Sequence, residues 1–525
     1  MSSVKMKRLP NGWCTTSITE VILKMANGTT AKQNKEGIGT PVTRIETIAQ
    51  GLINFDKVGF IDADAALVDK YSLQKGDILF SHINSDTHLG KTALYEEDRC
   101  LLHGMNLLLI RCNPTAVDYK FLHFLSIFYR TRGFFIEIAN KSVNQSSINQ
   151  KNLCSLSIPL PPLKEQRRIV AKIEELTAHS KRARAALEEV PTLIEQFKQS
   201  VLAAAFRGDL TAEWREKNPD MEPAEKLLER IRDERHRKWE EAELEKMQAK
   251  GKEPKDNKWK KRYKAPPITE TLDIEKFPKT WTNITLHEIA EATANSLAIG
   301  PFGSNLKVVD YRTAGIPLVF VREIRAEEFG DMETKFVSLK KADELKSHTV
   351  FPGDLLITKM GDPPGDTAVY PLERPTAVIT ADCIKLSPDE QISSSTFLKY
   401  WLRARAVKDE ILKETKGVAQ QKLSLKRFRN ITVPVPPVEE QKVILTHIEN
   451  HFRSIAEILS LSSSLYQDID LLDQSILAKA FRGELVPQDP NDEPAAVLLE
   501  RIRAEREKLE AAKKKKKRSA RKKAK

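Results

Sequence analysis

Three short stretches of this 525-residue chain carry residue types that could perform chemistry. Ser85-Asp86-Thr87-His88-Leu89-Gly90-Lys91-Thr92 approaches the loop that cradles nucleotide phosphates with backbone N–H groups and a lysine. It lacks the first glycine, Ala93-Leu94-Tyr95 continues as a strand, and Asp366 stands at the corresponding place later in the chain. Asp362-Pro363-Pro364-Gly365 approaches the Asp-Pro-Pro-aromatic signature of amino-methyltransferases, but glycine replaces the ring that would stack on a flipped base. A tight turn is the better reading. Asp331, Glu333 and Lys335 have the acid, acid, lysine makeup of a metal nuclease, a spacing that chance supplies when 30% of residues are charged. No Ser/His/Asp or Cys/His set stands out, and neither a catalytic centre nor a metal site is expected.

Recognition is the remaining chemistry. Asn and Gln can bond adenine in bidentate fashion, and Lys can reach guanine or a phosphate. The candidates are polar residues beside Gly-rich turns and strand ends. The first set is Ser81, His82, Asn84 and Lys91, with Asn144, Gln145 and Ser146. The second is Ser304, Asn305 and Lys307, with Lys359, Gln420, Gln421 and Lys422.

The elements that must position them occur twice. Ser157-Ile158-Pro159-Leu160-Pro161-Pro162-Leu163-Lys164-Glu165-Gln166 returns as Thr432-Val433-Pro434-Val435-Pro436-Pro437-Val438-Glu439-Glu440-Gln441. Ala205-Phe206-Arg207-Gly208-Asp209-Leu210 returns as Ala480-Phe481-Arg482-Gly483-Glu484-Leu485. Both echoes fall at an offset of 275 residues, Pro161 to Pro436 and Gly208 to Gly483. A unit this long is a duplicated module, not a solenoid repeat. Each copy opens on Pro-x-x-Trp (Pro10, Trp13; Pro278, Trp281), and each has a Gly-x-Pro (Gly39, Gly315) and a Gly-Asp strand start (Gly76-Asp77, Gly353-Asp354). Apolar runs bounded by Gly, Asn and Asp read as strands and hairpins, with helices expected near Tyr119–Arg130 and Ser395–Thr415. Outside these landmarks the two copies differ greatly.

Pro161-Pro162 and Pro436-Pro437 read as helix starters, because proline fixes φ and suits a first helical turn. Glu165 and Glu440 place an acid where the macrodipole favours one, and Gly208 and Gly483 stand where C-cap glycines belong. Between them runs a heptad stripe. In the first copy, Ile173, Ser180, Leu187, Ile194 and Val201 form one column, and Leu176, Ala183, Val190, Phe197 and Ala204 the other. In the second, Ile448, Ile455, Ser462, Ile469 and Ile476 accompany His451, Ile458, Leu465, Leu472 and Lys479. Pro191 should kink or break the first helix. The two helices are expected to pack on each other. Some 40 residues span on the order of 60 Å, under two turns of DNA at roughly 34 Å per turn. Beyond each cap, Pro223–Arg232 recurs as Pro494–Arg503, a charged helix whose Ala/Leu/Leu/Ile edge could dock a partner.

Net charge is +12, but Lys513 to Lys525 hold ten Lys or Arg and no acid, leaving about +2 for the rest. Nucleic-acid binding by the body must therefore use local patches. Five scattered cysteines without a C-x-x-C pair argue for reduced thiols in the cytoplasm. No run of about 18 apolar residues occurs, so no membrane span is expected.

The paired Pro-Leu/Val-Pro-Pro-x-x-Glu-Gln and Ala-Phe-Arg-Gly-Asp/Glu-Leu blocks, with the Gly-Asp-Ile/Leu-Leu turns, resemble the specificity subunit of type I restriction–modification enzymes across the whole chain. The implied fold is α+β: two mixed, strand-rich target-recognition domains separated by two long antiparallel coiled-coil helices in a pseudo-two-fold tandem repeat. The segments are 1–155 (first recognition domain), 156–210 (first spacer helix), 211–265 (charged helical linker), 266–430 (second recognition domain), 431–486 (second spacer helix) and 487–525 (charged helix and basic tail). The resemblance implies a non-catalytic subunit that reads a bipartite, asymmetric site on double-stranded DNA. Its partners would be two methyltransferase subunits and two ATP-dependent restriction subunits. S-adenosylmethionine, ATP and Mg would reside on those partners, with no cofactor on this chain. Glu165, Gln166, Phe206, Arg207, Glu440, Gln441, Phe481 and Arg482 would serve helix start, helix end and subunit contact. The alternative is a stand-alone DNA methyltransferase or nuclease.

Overall fold

The computed structural model describes residues 9–34, 37–49, 51–142, 145–249, 256–263, 277–325, 328–330, 334–361, 364–413 and 422–523. Two compact units result, and only the second is contiguous in sequence: Met1–Glu188 joins Ser462–Lys525 in the first, and Glu189–Leu461 forms the second.

In the first unit the head is built on an antiparallel sheet ordered Ile22–Asn27, Leu108–Cys112, Asp77–Phe80, Thr92–Tyr95. The second head repeats this order with Leu297–Ile299, Cys383–Leu386, Leu355–Thr358 and Thr367–Val369. Each head is closed by one further antiparallel pair, Cys14–Ser17 with Ser157–Leu160 and Thr282–Thr285 with Thr432–Val435. The proline-rich connectors are thus the last strands of the heads. The second head adds a sheet in which Ile316–Val319 runs parallel to Ala377–Ile379; in the first, the corresponding pairing shrinks to single bridges of Leu102 with Val42 and Ser72.

Both glycine landmarks have a steric cause. Gly39 and Gly315 adopt φ of +117° and +131°, and a Cβ there would lie 2.6 and 2.2 Å from the carbonyl oxygens of Ile61 and Val337. Gly76 and Gly353 turn the chain at φ of +91° and +89°. The aspartate that follows each one accepts the backbone N–H three residues before it (Gln74 N, 2.7 Å; Phe351 N, 2.8 Å). The buried Asp77 also receives a bidentate pair from Arg111 at 2.7 and 2.6 Å.

The first spacer helix spans Leu163–Arg207 and the second Val438–Phe481. Helix continues through Pro191, so of the expected kink or break the break does not occur. The helix foreseen over Ser395–Thr415 is instead two, Ser395–Arg403 and Arg405–Lys413, parted by extended backbone at Ala404. In each unit, the start of one spacer packs beside the end of the other, which makes the pairing antiparallel. Arg184 bonds Asp470 and Asp473 in the first unit, and Phe197 meets His451 edge-on in the second. The seam is narrower than the heptad stripe implied. Ile173 and Ile476, and in the other unit Val201, Ile448 and Ile455, are buried. Much of the companion column lies open: Phe197, Ile458, Leu465 and Leu472 are 40–53% exposed, while Leu176 packs against the first core.

Each head is completed by the opposite copy. Phe481 packs its ring on Phe121 and Phe128 of the first head, while Phe206 packs on Phe397 and Trp401 of the second. The cap glycines are in the left-handed region, and a Cβ on Gly483 would strike Pro10, one on Gly208 Pro278. The charged helix Ala495–Lys523 buries Leu498, Leu499 and Ile502 in the first core, and Ala224–Ala249 buries Leu228 and Ile231 in the second. Their apolar edges thus dock within this chain.

Candidate nucleic-acid interface

In both heads the strand after the Gly-Asp turn leaves the sheet and meets a returning segment. In the first, Ile83–Asn84 pairs antiparallel with Gln145–Ser147, which pairs onward with Asn140–Ser142. In the second, Met360 bridges Lys422. The carbonyls of His82 and Lys359 accept from Ile148 N and Leu423 N at 2.8 and 2.9 Å. Two candidate sets far apart in sequence are therefore neighbours in each head. Asn144, Gln420 and Gln421 lie outside the described residues. Asn84 and Gln145 are placed by their strands alone.

Several candidates are buried in this structure: Ser81, His82, Ser146 and Lys359. The Ser146 hydroxyl bonds the Asp86 carboxylate, which ties the returning strand to the 85–91 loop. Burial pushes the His82 pKa down. Lys359 donates to Ala381 O at 2.8 Å and lies 4.6 Å from the Phe302 ring centroid. Burial, then the neighbouring Lys422 charge, lowers its pKa. These four residues support the loops through contacts inside the head.

Ser304, Asn305, Lys307 and Lys422 are exposed. The turn that carries the first three starts at Phe302, itself exposed, so its ring on Lys359 ties all three sets of the second head together. Asp310 fixes the turn by accepting Lys307 N at 2.8 Å. In the first head, Lys91 is half-buried. It donates to Ala49 O and lines a cleft of about 380 Å³ with Gly51, Thr92, Ile127 and Arg130. Burial first, and the Arg130 charge second, lower its pKa. Two cations facing one cleft favour an anion there. Arg130 and Phe302 belong to no motif, and only their place in the fold sets them beside the candidates.

The eight residues at the helix ends divide sharply. Glu165 is buried and accepts from Trp13 Nε1 at 3.0 Å. Gln166 and Gln441 bind carbonyls of their own heads and connectors: Gln166 those of Pro161 and Ala116, Gln441 those of Pro436 and Ile392. Glu440 is held by Thr211 and Arg215 at 2.7 and 2.5 Å. Phe206 and Phe481 are also buried, and the contacts all six make here lie inside the chain. Arg207 and Arg482 remain exposed, paired with Asp209 and Glu484.

Of the chemical motifs, Asp331 to Glu333 and Asp362-Pro363 lie outside the described residues. The 85–92 loop runs into the strand Thr92–Tyr95, not into a helix whose N-terminus could hold phosphate. Among the described residues there is no His/Cys/Asp/Glu group suited to a metal ion. No described helix is long and apolar enough to cross a membrane.

Known proteins share this frame. A family model described as "Type I restriction modification DNA specificity domain" matches residues 10–190 and 278–460, once per copy. The EcoBI type I restriction enzyme specificity subunit of Escherichia coli is 29% identical over 70% of this chain and 69% of its own length. The putative MjaX specificity subunit of Methanocaldococcus jannaschii is 48% identical over 31% of this chain, and the match spans 39% of that relative. A chain from "Structural basis underlying complex assembly and conformational transition of the type I R-M system" superposes with a TM-score of 0.58. It is 20% identical and covers 91% of this chain and 99% of its own.

Proposed function

This chain belongs to the type I restriction–modification DNA specificity family, and on that premise we propose that it is the sequence-reading subunit of such a system. It reads a bipartite, asymmetric site on double-stranded DNA, one half per head, with the spacer helices setting the gap. The observation that carries this reading is the pair of heads: one four-stranded frame, strand for strand, with unlike peripheries. A scaffold would have no need of the difference. The reading loops are 83–91 with 140–147 in the first head, and 302–312 with Lys359–Met360 and Lys422 in the second. The open apolar column of the spacers supports docking of two methyltransferase subunits, with two ATP-dependent restriction subunits beyond them. S-adenosylmethionine, ATP and Mg are carried by those partners, and the complex works in the cytoplasm.

Mapping methylated bases in the host genome with and without this gene tests the proposal. A split motif that disappears on deletion is the expected result. Methyl transfer from labelled donor by the purified chain alone would instead establish a stand-alone enzyme.

A further inference from the structure

The helix Ala224–Ala249 is fixed to the second head by more than its apolar edge. Arg232 bonds Glu288 at 2.6 Å, and Arg235 bonds Asp389 at 2.7 Å. Beyond its end, the short turn Asn257–Arg262 folds back along it. The fold-back is held by rings. Trp259, buried, stacks at 6.0 Å on Trp239, while Tyr263 lies 4.5 Å from His236 and 5.4 Å from Trp239. Lys260 completes the clasp through Glu240 at 2.8 Å.

What the clasp holds out is charge. Lys258, Lys261 and Arg262 are exposed on a turn whose one acid, Asp256, caps Lys258 N at 2.9 Å and lies 3.4 Å from Lys258 Nζ. Lys261 and Arg262 have no acidic partner among the described residues. A merely solvated basic linker needs no ordering, yet here three aromatic side chains are committed to fixing one, against the entropy of a free chain. The occupant must be anionic. A protein partner would be expected to find apolar anchors nearby, and none of the exposed large apolar side chains lies on the described parts of 224–263. The uniform phosphate backbone of DNA needs none. The matching helix of the other copy likewise passes from its docked portion into Lys513–Lys517 and Arg518 without an acid.

We propose that Lys258, Lys261 and Arg262 form a phosphate-binding clamp, contributing sequence-independent affinity apart from the reading loops. This rests on the DNA-reading function proposed above. The test uses the full-length chain and its K258A/K261A/R262A variant. Binding is measured over a salt series on a duplex carrying the host's split methylation motif and on a random duplex of equal length. The expected result is about tenfold or greater weakening on both duplexes alike. The slope of log affinity against log salt should shrink by about 2–3, at roughly 0.9 for each phosphate no longer neutralised. The charge-retaining K258R/K261R variant should bind as the parent does. Unchanged affinity and slope, or a loss confined to the motif duplex, would overturn the clamp. So would loss of a co-purifying protein with the slope intact. If the parent chain binds both duplexes equally, the reading function fails instead, whatever the slope does.

Discussion

Asp77 illustrates how a residue that reads as a motif can be pure support. Buried, it holds the Gly76 turn through Gln74 N and pairs with Arg111 on the neighbouring strand. Arg111→Met should leave a buried, unpaired carboxylate and cost about 3–5 kcal/mol in denaturant unfolding, while Asp77→Asn/Arg111→Met together should recover much of that loss. Buried histidines make a second prediction. Burial holds His103 and His123 of the first head down to about 4, against 6.5 for a free histidine. The unfolded chain therefore takes up protons first as pH falls. Stability should be complete above about pH 6.5 and decline toward pH 4, by on the order of 3 kcal/mol for each ring. H103Q/H123L should flatten that decline in pH-dependent melting; an unaltered profile would show that neither ring titrates on unfolding.

At the scale of elements, the docked helices can be tested by cutting. Removing 495–525 should expose the first core where Ala495, Leu498, Leu499 and Ile502 sat, and limited proteolysis should then digest 9–160 before 278–430. Equal resistance of the two segments would rule out this packing as a source of stability. Here the sequence and the fold part company. The strand frames, cap glycines and helix starts were legible because each depends on residues close by, such as the carbonyl crowding at Gly39 and Gly315. Which core receives Leu228 or Leu499 was not, because an apolar edge states a need for burial without naming the surface that meets it. Heptad spacing likewise could not tell that one column would close while Phe197 and Leu472 stayed open. Among the site candidates, residue type pointed to polar loops that the fold sets beside one another, but the inward turn of Ser81, His82 and Lys359 depends on sheet geometry that periodicity does not carry.

For the whole molecule, the unlike heads on a common frame predict modular specificity. Replacing 278–430 with the corresponding segment of a relative should change one half of the methylated motif and leave the other half intact, as read by genome-wide methylation sequencing. A change in both halves would mean that the heads do not read independently.

The discontinuous first unit has a consequence for biosynthesis. Its early portion ends at Glu188 and its remainder starts at Ser462. At about 5–20 residues per second, a ribosome needs roughly 15–60 seconds to supply the missing wall, including Phe481 and Leu499. Throughout that interval the nascent amino-terminal half presents an unsealed apolar face, a standing invitation to chaperones, and a premature stop anywhere before Phe481 leaves a product that cannot close.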